Sequence, residues 1–246
     1  MPAPALASAL ADIDRVFEGF AAPNEEGCGY CQVPEKTAYL RTPYVDVPVH
    51  VVQYCLFKAV DHVTDHAASM RRLLPQAARA MADGTLGAIA CLPHGWSRRD
   101  LNTWPAEQSD AIRAFLIAWW QDALTTPEPP YGVRDVFDTC ATIARTVTPF
   151  LVGWVGGPVA DAPLVHCADD WFDLISDHAP FPWFRPCDSE DAAARAELRA
   201  WLAGPGAARL RALGERGLAT RVGLLGLPEE ECWAHPYGND APTDAD

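Results

Sequence analysis

The sequence predicts an all-α fold, an irregular stack of about nine or ten short helices that pair as in HEAT proteins or form a bundle. Apolar residues recur at spacings of three and four through most of the 246 residues, which is the period of an amphipathic helix. No alternation of apolar and polar residues is long enough to build a sheet. The 22 prolines fall mostly where one predicted helix stops and the next begins.

Three helices are predicted at the start of the chain. The first carries one apolar face and ends before Pro23. The second covers Pro34–Arg41, with proline in its first turn. The third begins at the cap candidate Asp46 and runs to about Val63, although the β-branched run Val45–Val52 also fits a strand. The apolar face of the first helix consists of Leu6, Leu10, Ile13, Phe17 and Phe20.

Two longer helices follow. Asp65 is expected to cap a helix that continues to Gly84, and Pro75 is expected to kink or split it, because proline lacks a backbone N–H donor. The clearest helical pattern of the chain covers Trp104–Thr125. Its predicted core face consists of Ile112, Phe115, Leu116, Trp119, Trp120 and Leu124.

The second half of the chain is predicted to contain five further helices. We expect Gly204 and Gly217 to end two of them and Gly153–Pro158 to form a turn between two others. Residues 1–228 are expected to form a single helical domain. Residues 229–246 hold six acidic residues and no Lys or Arg, so we expect a mobile acidic C-terminal tail there. The five helices are Arg134–Val147, Ala160–Ile175, Ser189–Leu202, Pro205–Arg216 and Leu218–Leu227.

Composition narrows the classes of function. With 49% hydrophobic residues, the chain is expected to fold rather than to stay disordered. A net charge of −14 and a pI near 4.8 argue against nucleic acid and anionic membranes as partners. The sequence has no signal-peptide pattern and no apolar stretch of membrane-spanning length, so we expect a cytoplasmic protein. In that reducing compartment the eight cysteines are expected to stay thiols.

Cys28 and Cys31 form a Cys-x-x-Cys motif in a predicted turn. Two thiolates at this spacing can occupy one edge of a tetrahedral zinc site, which needs two further ligands. The same spacing ahead of a helix N-terminus also suits a redox pair, although a predicted helix, rather than the strand of thioredoxin-like proteins, precedes the motif. The candidate interpretations are therefore a structural zinc site, a redox pair and two ordinary turn cysteines.

His62 and His66 lie four residues apart, a spacing that places two imidazoles on one face of a helix, as in two-histidine metal sites. A third ligand could come from Cys28, Cys31 or His50. If Asp65 caps a new helix, however, the helix breaks between the two histidines. A solvated helix end is then the alternative interpretation.

Asp169, Asp170 and Asp173 form an Asp-Asp-x-x-Asp motif among aromatic residues. Carboxylates at i and i+4 share a helix face and can hold magnesium against a diphosphate. The motif resembles that of class I terpene synthases and prenyltransferases. This resemblance implies magnesium-dependent chemistry on a prenyl diphosphate, with the three aspartates as catalytic residues. No second magnesium motif follows, and a solvated acidic helix face explains the same residues.

Four short stretches resemble a group of bacterial all-helical proteins to which no activity is assigned. The similarity spans roughly residues 15–155 and implies an all-α, HEAT-like fold, but no activity. Frequent alanine and proline, and arginine in preference to lysine, are also typical of bacteria with GC-rich genomes. The matching stretches are Cys28–Cys31, Leu40–Pro43, Arg71–Pro75 and Trp104–Glu107.

The functional hypothesis is an acidic helical module that binds a partner protein, with a structural metal, zinc, at the Cys-x-x-Cys motif. The sequence contains no glycine-rich phosphate loop, no Gly-x-Ser-x-Gly elbow and no complete catalytic constellation. The alternative is a small metal-dependent helical enzyme. It would use either magnesium at Asp169, Asp170 and Asp173 or a transition metal at His62 and His66.

Overall fold

A computed structural model describes residues 3–27, 34–57, 63–87, 89, 101–176 and 189–235. Within these ranges the chain is helical and contains no β-strand, so the all-α prediction is confirmed. HEAT-like pairing stays a prediction. None of the helices described there combines the length and apolar character needed to cross a membrane. The α-helices are α1 (Pro4–Phe17), α2 (Pro34–Arg41), α3 (Val49–Phe57), α4 (His66–Ala82), α5 (Ala106–Thr125), α6 (Val133–Ala144), α7 (Thr148–Val152), α8 (Pro158–Ser176), α9 (Ser189–Trp201), α10 (Ala207–Leu213), α11 (Arg216–Leu224) and α12 (Glu229–Ala234).

The chain divides into two compact units, Met1–Arg145 and Thr146–Asp246. In the N-terminal unit, α1 packs against α4 and α5, while α6 packs on α5 and α3 on α4. The predicted core face of α5 is confirmed, because each of its six side chains is at most 3% exposed. Burial of one large apolar side chain stabilises a fold by about 1.5–3 kcal/mol, so this face is a main source of the unit's stability.

The helix boundaries in the N-terminal unit follow local chemistry. The α2 helix has the predicted bounds. The Asp65 side chain accepts a hydrogen bond from the Ala68 N–H at 3.0 Å, which confirms the predicted cap of α4. That helix continues through Pro75 and is not split. The α3 helix begins at Val49 rather than near Asp46, because the Pro48 carbonyl accepts its first helical hydrogen bonds.

The core of the C-terminal unit contains three tryptophans. The Trp154 ring stacks on Trp201 and meets Trp171 edge to face, with ring centroids 6.1 and 5.8 Å away. The short helix α7 was not predicted. One oxygen of Glu197, on α9, accepts hydrogen bonds from the backbone N–H groups of Val147 and Thr148 at its start. This contact spans about fifty residues of sequence, so no local pattern signals it.

The predicted helix stops at Gly204 and Gly217 are wrong. Gly204 lies in a π turn (Leu202–Gly206) that links α9 to α10 without a break, and Gly217 lies inside α11. The chain instead turns at Gly214, whose φ of 92° favours glycine.

The π turn keeps one apolar face buried across α9 and α10. Leu198, Leu202 and Leu210 are all fully buried. In a regular α-helix each four-residue step advances a side chain by about 40° beyond a full turn, so residues twelve apart drift off a common face. The wider π turn takes up this advance.

The predicted tail begins with α12, in which Cys232 is buried. Residues 236–246 lie outside the described ranges. The division into a domain of residues 1–228 and a tail of residues 229–246 stays a prediction.

Candidate functional site

An arginine fixes an exposed loop in the N-terminal unit. We call residues 42–49 the first segment. Arg72 Nε, on α4, donates to the carbonyl oxygen of Thr42 at 3.0 Å, and Nη2 donates to that of Val45. One turn further along α4, the Gln76 side chain accepts from the backbone N–H of Val47 at 3.0 Å. Burial lowers the pKa of Arg72, while the Asp46 carboxylate opposes that shift. The buried guanidinium therefore donates its N–H groups to backbone carbonyl oxygens of the first segment.

The first segment presents apolar side chains to solvent. Tyr44 is 75% exposed, and Val45 and Val49 are 40% and 43% exposed. Tyr44 also has a left-handed backbone, with a φ of 61°, which bulky residues rarely adopt. The strained backbone at Tyr44 therefore carries an aromatic ring that remains largely exposed to solvent.

The C-terminal unit contains a loop built in the same way. We call residues 152–159 the second segment. Arg209 donates to the carbonyl oxygens of Trp154 and Val155 at 2.9 and 2.5 Å and pairs with Asp161. The Trp154 indole N–H donates to the carbonyl of Ala160 at 3.0 Å, which anchors the segment from inside. Three valines are exposed on it: Val152 at 78%, Val155 at 37% and Val159 at 36%.

Glu25 joins the parts of the chain that lie next to the predicted metal ligands. Its carboxylate is fully buried. One oxygen accepts hydrogen bonds from the Gly27 and Thr64 N–H groups at 2.9 and 3.0 Å. The other accepts from the Asp65 N–H at 3.1 Å and the Ser69 hydroxyl at 2.9 Å. Gly27, directly before Cys28, and Thr64, two residues after His62, therefore donate to the same Glu25 carboxylate oxygen.

Of the four predicted metal ligands, the structure describes His66, which is buried at the first position of α4. Cys28, Cys31 and His62 lie outside the described residues. Within the ranges that are described, no three His, Cys, Asp or Glu side chains are grouped to hold a metal ion.

The aspartate motif lies on α8 beside an arginine. Arg221, on α11, donates to Asp169 at 2.7 Å and to Asp173 at 3.2 Å. Its guanidinium carbon lies 4.5 Å from the centroid of the Phe172 ring. The Asp169 and Asp173 side chains are 52% and 63% exposed, whereas that of Arg221 is 15% exposed. Asp170 is exposed as well. The guanidinium occupies the place between the two carboxylates that a cation would take.

Comparison with known proteins finds no matching family model, no matching curated protein and no matching solved structure.

The two exposed segments and Glu25 were not predicted from the sequence. Arg72 contacts a loop 27 to 30 residues earlier in the chain, and Arg209 one about 55 residues earlier. Glu25 reaches 39 to 44 residues forward. The available signal was weak: the first segment contains Pro43 and Pro48, and the second is rich in glycine and valine.

Proposed function

We propose that this chain is an acidic helical module that binds a partner protein. The observation that carries the proposal is the repeated construction of the two exposed segments. In each unit, an arginine donates to backbone carbonyls of a loop and thereby fixes apolar side chains in a solvent-exposed position. Apolar side chains grouped on a fixed loop and surrounded by polar residues are typical of protein-binding surfaces.

Fixing the loops in advance favours binding. A flexible loop loses conformational freedom when it docks, and this loss subtracts from the affinity. The hydrogen bonds from Arg72 and Arg209 remove part of that cost before the partner arrives. The net charge of −14 favours a basic partner and accelerates its association at low salt.

Recovery of partners from the native host tests this proposal. The wild-type chain should retain a defined partner in a low-salt lysate and less of it in high salt, since salt screens exposed charges. A Tyr44→Asn/Val152→Ser variant should lose the partner, because both substitutions remove exposed apolar side chains. Ile117→Ser is the matched control, since Ile117 is exposed on α5 outside both segments. Equal recovery by all three proteins would overturn the proposal.

A structural metal is the second part of the proposed function. We propose that Cys28, Cys31, His62 and His66 hold one zinc ion that links the segment after Gly27 to the start of α4. Thiolates and imidazoles are the usual ligands of structural zinc. The proposal is supported by the meeting of Gly27 and Thr64 at Glu25, which brings together described residues next to both ligand pairs. Such an ion would contribute directly to folding stability.

Elemental analysis of the purified full chain tests the metal. We expect one zinc per chain, lost in Cys28→Ser and in His62→Ala. Cys140→Ala and His166→Ala serve as controls, since each removes a residue of the same type elsewhere and should keep the zinc. Failure of the wild type to retain added zinc chloride after dialysis would overturn the metal site. Metal kept in Cys28→Ser but lost in His62→Ala would instead support the transition-metal enzyme.

The magnesium-dependent enzyme has less support from the geometry than the binding module. Asp169 and Asp173 share a cationic partner, Arg221, and face solvent. A catalytic magnesium ion would have to displace this guanidinium from both carboxylates. An ion pair between α8 and α11 explains the same side chains without a metal.

A further inference from the structure

We infer that the first segment binds a cationic stretch of the partner protein, in which an arginine or lysine lies among apolar residues. The inference rests on the proposed function and adds the site and the chemistry of its occupant. It follows from the side chains that the first segment and the adjoining turn at Gly19 expose together.

The turn and the segment form one surface. The hydroxyl end of Tyr44 lies beside Gly19, where an added Cβ would come 2.5 Å from the hydroxyl oxygen. Glu18, next to Gly19, is exposed, as is Asp46 in the segment. The surface therefore contains an exposed aromatic ring, two valines and two carboxylates.

The charges on this surface favour a cation. Its exposed carboxylates are those of Glu18 and Asp46, while exposed Arg41 directly precedes the segment and exposed His50 directly follows it. With histidine counted as neutral, two acids face one base. The guanidinium of Arg72 is buried and directed at carbonyl oxygens, so it is not presented to a partner. An acidic occupant would meet two carboxylates without comparable compensation.

The ring of Tyr44 suits the same occupant. An exposed aromatic face attracts an ammonium or guanidinium group, and the attraction strengthens when the pair is shielded from water. Glu18 and Asp46 are exposed carboxylates on the same turn and segment, and one Asp46 oxygen accepts from the Gln76 side chain at 3.3 Å. Hydrogen bonds from a cationic group to a carboxylate are stronger than those between neutral groups. Val45 and Val49 supply the apolar contacts that exclude water around it.

Selection from a phage-displayed library of random peptides on the full chain tests the inference. Enriched peptides should contain more arginine and lysine than the unselected library, next to apolar residues. Tyr44→Asn should weaken their binding about tenfold, as loss of a central aromatic contact does. Asparagine tolerates the left-handed backbone of this position, so the variant removes the ring and keeps the loop. Tyr44→Phe should bind within about twofold of the wild type, because it keeps the ring.

The charge variants separate the cation from the apolar contacts. Glu18→Gln and Asp46→Asn should each weaken an arginine-containing peptide by about two- to fivefold. Neither should weaken an analogue in which alanine replaces the arginine. Enrichment of acidic peptides, or no enrichment at all, would overturn the inference. Peptides that tolerate Tyr44→Asn but are lost with Val152→Ser would also overturn it, while leaving the proposed binding function in place.

Discussion

The hydroxyl end of the Tyr44 side chain occupies the space that a Cβ on Gly19 would need. An added Cβ on Gly19 would come 2.5 Å from the Tyr44 hydroxyl oxygen and 3.0 Å from Cζ. Both residues have a left-handed backbone, with φ of 78° at Gly19 and 61° at Tyr44. Because Gly19 has no side chain, the turn after α1 can approach Tyr44 of the first segment this closely.

We expect Gly19→Ala to lower the free energy of unfolding by about 1–2 kcal/mol, because a left-handed backbone is costly for residues with a Cβ. Urea denaturation measures the loss. Gly156→Ala is the control, since a Cβ there meets nothing within 4 Å, and it should change stability by less than about 0.5 kcal/mol. In Gly19→Ala the exposed ring of Tyr44 should also be displaced. Equal effects of the two substitutions would contradict this account of the turn.

Glu25→Gln should destabilise the N-terminal unit by about 1–3 kcal/mol. The substitution replaces one acceptor oxygen by an amide NH2 group, so the buried donors that bond to that oxygen lose their acceptor. The amide retains one acceptor oxygen, whereas the carboxylate accepts four hydrogen bonds from a fully buried position. Chemical denaturation measures the change. Glu107→Gln is the control, since Glu107 forms an exposed ion pair with Arg15. A loss from Glu25→Gln no larger than that from the control would refute the proposed role.

The ion pairs between α8 and α11 predict an unequal mutational pattern. Arg221→Ala should cost about 1–2 kcal/mol, because it removes both ion pairs and the stacking on Phe172. Asp169→Asn and Asp173→Asn should each cost less than about 1 kcal/mol, since both carboxylates are largely exposed. Thermal denaturation with magnesium chloride and inorganic pyrophosphate provides the functional comparison. A clear rise in the wild-type Tm that either aspartate variant abolishes would revive the magnesium enzyme.

The Cys55 thiol predicts a loss of stability in alkaline solution. Burial raises its pKa to about 12, the Glu25 carboxylate acts in the same direction and Lys36 opposes it. A cysteine thiol in the unfolded chain has a pKa of about 8.5, so the folded chain holds the Cys55 thiol proton more tightly. The stability contributed by the neutral Cys55 thiol is complete below its pKa in the unfolded chain. It is lost as the pH rises toward its pKa in the folded chain. Between about pH 7 and about pH 10, Cys55→Ala should therefore lose less stability than the wild type. Identical pH dependence of the two proteins would contradict this.

Local signals were enough to predict most of the helices, but not α7 or α12, and not the sites. The α5 core face was predictable because its apolar residues repeat within one helix, and the α4 cap because Asp65 lies next to it in sequence. The prediction that a helix ends at Gly217 was wrong because glycine inside a helix costs only about 1 kcal/mol, which packing can offset. The contacts of Arg72, Arg209 and Glu25 join residues far apart in sequence, so they leave no periodic signal.

The π turn between α9 and α10 has a consequence for the evolution of the chain. Loss of a single residue there would leave Leu198 and Leu210 eleven residues apart, and eleven residues of regular α-helix make almost three full turns. Leu210 would then remain on the buried face, because ordinary winding would replace the wide turn. This stretch of the chain can therefore gain or lose that one residue while the same apolar side chains stay in the interior.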